Sequence, residues 1–165
     1  FHGASDPFYQ ERYKAKVWAL AGSPYMPGFN PGAEPYFEPD VRFTADTVLP
    51  IDGAKVHVFG SNPPEALLHL PLHGGTVLSG DALQNMEAPD AYWNWFGSLV
   101  MKMMGFLKPH NVGPGWLKQT KPPGADLKAV LALPPFANVL PAHGTPVLGG
   151  AQDKYRPAIE RVARP

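Results

Sequence analysis

Short apolar runs of strand length occupy the front of this chain, and a longer run with the 3.6-residue period of a helix follows them. Segment 16–20 (KVWAL) reads as a strand. It follows a short helical turn over 6–13, where Pro7 stands at a first-turn position that has no use for the missing N–H. Segments 42–49 and 55–59 flank Asp52-Gly53, a step suited to a hairpin, and 65–70 and 76–79 flank His73-Gly74-Gly75 in the same way. From 92 to 105 the apolar residues fall at 92, 95, 96, 99, 100, 103 and 104, the spacing of an amphipathic helix ended by Gly105. Segment 126–133 reads as a short helix stopped by Pro134-Pro135, 137–140 as a strand, and 151–163 as a terminal helix that Pro157 disturbs or restarts. The Gly- and Pro-rich segments 21–39 and 108–124 read as connections. There is no internal repeat. Strands first and helices interleaved later predict a layered α/β arrangement in one domain over 1–165.

Composition narrows the chemistry. The 165 residues include no cysteine, so disulfides, thiolate zinc sites and cysteine nucleophiles are excluded and a metal must be held by His, Asp or Glu. Lys plus Arg and Asp plus Glu are 14 each, which gives a nucleic-acid partner no electrostatic support at the level of the whole chain. The longest nearly apolar stretch, 93–107, is too short and too polar for a membrane span, so no membrane partner is expected. No basic segment precedes an apolar core in the manner of a signal peptide; with the lack of cysteine, this favours the cytoplasm. The 21 Pro and 17 Gly are spread between apolar runs, as turns and loops would place them.

Three segments place metal-type donors at strand ends: His2 to Asp6 at the start, Gly80-Asp81 after 76–79, and His143-Gly144 after 137–140. Donors at the C-terminal ends of strands converge on one edge of a sheet, where loops build a site. In these residues the chain resembles the metallo-β-lactamase fold hydrolases. That family carries a His-x-His-x-Asp-His motif after a strand, then a further His, an Asp in a Gly-Asp step and a final His before Gly. Here Ser79-Gly80-Asp81-Ala82-Leu83 resembles the Asp segment and Ala142-His143-Gly144-Thr145-Pro146-Val147 the final His segment. The resemblance covers most of the chain as the later part of the family's domain. It implies a layered αββα sandwich, incomplete at the N-terminus because the strands before the first motif are absent. An open edge and an uncovered apolar face would follow, and with them self-association or pairing with an upstream segment.

The match departs from the pattern in ways that change the chemistry. With His2 on the first His, Ala4 and Pro7 occupy later His positions while Asp6 keeps the Asp, and no His stands in 60–64, where the middle His belongs. The resemblance therefore implies one metal at most, zinc or another divalent ion, with His2, Asp6, Asp81 and His143 as ligands. Asp6 would also orient the water or take its proton. The implied activity is hydrolysis of a small ester, thioester or lactone; the alternative is a catalytically inactive, metal-free member acting as a binding or assembly module.

Each candidate also has a structural reading. Asp81 suits an Asx turn, Asp6 before Pro7 an N-cap, His143 a strand exit, and His2 a plain surface position. His57 and His69 read as strand residues, His73 as a turn residue, and His110 as a replacement ligand or a loop residue. Tyr92, Trp93, Trp95, Phe96, Met101, Met103 and Met104 spread too far around a helix to face one side, so some of them form an apolar lip or an interface. The 111–116 loop is a further candidate for lining the cleft.

Overall fold

In the computed structural model, residues 5–23, 38–89 and 91–164 are described. His2 and most of the expected 21–39 loop lie outside them. The chain divides into two compact units, Phe1–Val48 and Leu49–Pro165.

In the first unit, helix α1 (Asp6–Tyr13) starts with Pro in its first turn and ends at Lys14, whose φ of 53° is left-handed. It buries no residue; Phe8, Tyr9 and Tyr13 instead pack on one another with ring centroids 5.4 to 6.1 Å apart. Strands β1 (Trp18–Leu20) and β2 (Val41–Phe43) pair in parallel. The Asp40 carboxylate ties this unit together by accepting from the Val17 N–H at 2.8 Å and the Gln10 amide at 3.2 Å.

The second unit is built on a four-stranded sheet. Strands β3 (Lys55–Phe59), β4 (Glu65–Leu70) and β5 (Thr76–Gly80) form an antiparallel meander, and β8 (Asn138–Pro141) adds to β5 in parallel. The 73–75 turn forms as its residues predict, with His73 at φ 52° and its carbonyl accepting from the Asn138 side chain at 2.9 Å. The Asp52-Gly53 turn also forms, closed by the Ala54 N–H to the Ile51 carbonyl at 3.1 Å. The strands assigned to its flanks pair elsewhere: 41–43 with β1, and 55–59 with β4.

Between β5 and β8 run a ribbon of β6 (Leu83–Gln84) with β7 (Asn111–Val112) and the helices α2 (Trp95–Met103), α3 (Pro114–Thr120) and α4 (Gly124–Val130). Helix α3 occupies a segment whose Pro and Gly content predicts a connection. Its Pro114 sits in the first turn, where proline fits, so the residue that reads as a breaker is a starter. Helix α5 (Ala151–Val162) continues through Pro157, which neither ends nor restarts it.

Alternation along the strands gives the sheet two faces. Phe59, Leu67, Val77 and Val139 point to one face and join Leu127 and Val130 of α4 and Ala151, Tyr155 and Ile159 of α5 in a single core. The other face carries a cross-strand row of Val56, Leu68, Leu78 and Leu140, of which Leu78 and Leu140 are each 37% exposed. This unit is thus mixed α/β, with the helical core on one side of the sheet.

Candidate functional site

Because β5 and β8 are parallel neighbours, the residues that leave their C-terminal ends emerge at the same edge. Gly80 makes the exit of β5 with φ 52°, and its carbonyl accepts from the Ala142 N–H at 3.0 Å, which fastens the two exits together. Asp81 and His143 follow. His143 Nε2 lies 3.1 Å from Asp81 Oδ1, with both side chains partly exposed. The hydrogen bond to Asp81 raises the His143 pKa above its ordinary value, against the opposing effect of burial.

The edge also holds a residue that sequence reading passes over. Glu65 opens β4, and a Cβ placed on Gly80 would lie 3.2 Å from its Oε1. Burial, and then the neighbouring Asp81 charge, push the Glu65 carboxyl up, partly offset by the Ala66 backbone hydrogen bond. Glu65 follows directly on 60–64, the stretch in which the resembled family keeps its middle His. Its place at the head of an apolar run hides it, since only the fold brings it beside Gly80.

A second overlooked residue is Asn85. Its side chain donates to the Thr145 carbonyl at 3.1 Å and pairs with the Thr145 hydroxyl at 2.9 Å, and it accepts from the His110 N–H at 3.1 Å. Its backbone N–H donates to the His143 carbonyl at 3.2 Å. Asn85 is buried and clamps the 143–145 loop that aims the imidazole. Gly144 makes that clamp fit: at φ 88°, a Cβ there would overlap the Asn85 carbonyl. The 111–116 segment lies behind Asp81, where Gly113 donates its N–H to Ala82 O at 3.1 Å and a Cβ on it would overlap the Asp81 carbonyl. No local signal marks Asn85, because its partners are 25 and 60 residues away.

The remaining histidines take structural places. His57 Nε2 meets the Asp126 carbonyl at 3.0 Å, and burial lowers its pKa. His69 is a strand residue, 2% exposed, with Nε2 3.4 Å from the Pro135 carbonyl. His110 sets its ring edge-on to Tyr155, 5.7 Å between centroids, and Tyr155 donates its hydroxyl to the Gln84 carbonyl at 3.2 Å. An open groove lined by Tyr92, Trp93, Asn94, Gly97 and Met101 lies along α2, and its lining includes neither Asp81 nor His143.

Among the described residues of the second unit, the structure brings the sequence-derived candidates Asp81 and His143 together. Asp6 belongs to the first unit and His2 lies outside the described residues. Imidazole and carboxylate are the right donors for zinc, but zinc sites use three protein ligands or more. Among the described residues no three His, Asp or Glu side chains gather as a metal would require. The fit to a metal is thus incomplete on these residues alone. No family model matches the chain, and no curated protein matches it.

Proposed function

We propose that the Asp81–His143 edge is a hydrolase-type site with an altered ligand set, like that of the metallo-β-lactamase fold, acting on a small ester, thioester or lactone. The observation that carries this reading is the meeting of carboxylate and imidazole at 3.1 Å on the exits of two adjacent parallel strands. Asp81 and His143 would hold a single divalent ion weakly, with zinc the natural fit to these donors and His2 and Asp6 the candidates to complete the set. A bound ion would lower the pKa of its water towards about 7 and polarise a carbonyl oxygen. The chain's own contribution is orientation: Asn85 and Gly144 fix the loop of His143, and Gly113 backs Asp81. The apolar row from Val56 to Leu140, on the face away from the helices, supports an αββα sandwich, in which a second sheet covers that face.

A second reading, a non-catalytic binding module on the same scaffold, is favoured by the absence of a three-donor group among the described residues. Metal analysis of the purified chain after dialysis against zinc, with a chelator control, separates the two. The hydrolase reading expects up to one zinc per chain, lost in His143→Ala and Asp81→Ala, and chelator-sensitive cleavage of an ester or lactone. Two tightly held ions per chain, or metal content indifferent to both substitutions, would overturn the ligand assignment. Substrate-like binding without metal or turnover would establish the module.

A further inference from the structure

Helix α2 is amphipathic in the wrong sense for a surface helix. It buries no residue, and its side towards the protein is made of half-buried Gly97, Ser98, Val100 and Met101. At about 100° per residue, Trp95, Leu99 and Met103 form one ridge with Phe96 beside it, an arc about 100° wide. These four are 78%, 46%, 80% and 59% exposed, so the apolar arc is the outward one. Scattered apolar side chains on a surface are ordinary, but a contiguous aromatic and aliphatic ridge on one exposed helix marks a contact surface.

Charge identifies the partner. Lys102 borders the ridge on the helix itself, and Lys108 follows five residues after the helix ends at Met103. Across 91–125 there are four lysines and no acidic residue, in a chain whose basic and acidic residues number 14 each. A symmetric contact through this ridge has Lys102 at its border and no acidic residue of 91–125 to pair with it. An anionic lipid surface complements it: the aromatic ridge enters the boundary between headgroups and acyl chains while lysines remain at the phosphates. No helix among the described residues is long and apolar enough to cross a membrane, so the contact is peripheral. We propose that α2 is a membrane-interface anchor, docking Trp95, Phe96, Leu99 and Met103 into an anionic lipid surface with Lys102 and Lys108 at the headgroups. This goes beyond the hydrolase reading and departs from the expectation, drawn from the length and polarity of 93–107, that no membrane is a partner.

The test is co-sedimentation of the full chain with phosphatidylcholine vesicles, with and without about 30% phosphatidylserine. The expected result is binding to the anionic vesicles that exceeds binding to the neutral ones and falls as salt rises from about 0.1 to about 0.5 M. Trp95→Ser with Phe96→Ser should weaken it more than about tenfold, and Lys102→Gln about fivefold. Both alter exposed side chains, and a cooperative melt checks that each variant is folded. Absence of vesicle binding, equal binding to both vesicle types, or binding unchanged in either folded variant would overturn the proposal. A dimer in sedimentation velocity that the double variant abolishes, without vesicle binding, would assign the face to a second copy instead.

Discussion

Two histidines in the second unit are held in opposite directions, and their titrations separate the candidate site from the scaffold. The Asp81 hydrogen bond favours His143 in its charged form, whereas burial against α4 favours His57 in its neutral form. Histidine proton resonances should therefore show a His143 midpoint above the unperturbed value of about 6.5 and a His57 midpoint below it. Asp81→Asn should bring the first down and leave the second in place; a His143 midpoint that ignores Asp81 would break the pairing. The two linkages act oppositely on stability. His143 contributes fully below about pH 6.5, and that contribution is lost as pH rises through its higher native pKa. His57 contributes above about pH 6.5, and its contribution is lost as pH falls towards its lower native pKa.

At the scale of elements, the edge is held by partners far apart in sequence. Asn85 joins the 143–145 loop, the start of the β7 segment and the end of β6. Asn85→Ala removes the partner of part-buried groups on Thr145 and His110 and should cost about 1 to 2 kcal/mol in urea unfolding, with the His143 titration moved as the loop relaxes. A loss below about 0.5 kcal/mol would show that solvent replaces the clamp. The contrast with what the sequence makes legible is physical. The β4–β5 hairpin is written locally, because His73-Gly74-Gly75 supplies the left-handed turn and the alternating residues supply the faces. Helix α2 is legible from its period, but which way its apolar arc faces is not, since periodicity is the same for an arc turned inward or outward. The Asp52-Gly53 turn shows the opposite limit: turn chemistry is local and correct, while the choice of strand partner is decided by long-range pairing. Asp81 and His143 could be nominated from their Gly neighbours and strand ends, but Glu65 and Asn85 become visible only through the fold.

For the whole molecule, the distribution of buried side chains predicts where the chain is most resistant to opening. The core joins β3, β4, β5 and β8 to α4 and α5, whereas α1 and α2 bury nothing. Hydrogen exchange should protect the amides of Leu67, Val77 and Val139 most and release those of α1 and α2 early. Fast exchange in β8 would contradict the fold. The parallel pair β5–β8, which sets Thr76 against Asn138, has a kinetic meaning as well. The β3–β4–β5 meander can assemble from sequence neighbours, but the β8 edge needs closure of everything between, and such non-local pairing is slow. During synthesis, Asp81 leaves the ribosome long before His143 exists to meet it. The Asp81 carboxylate therefore spends the early life of the chain without its imidazole, and the pair assembles only when the last strand has docked.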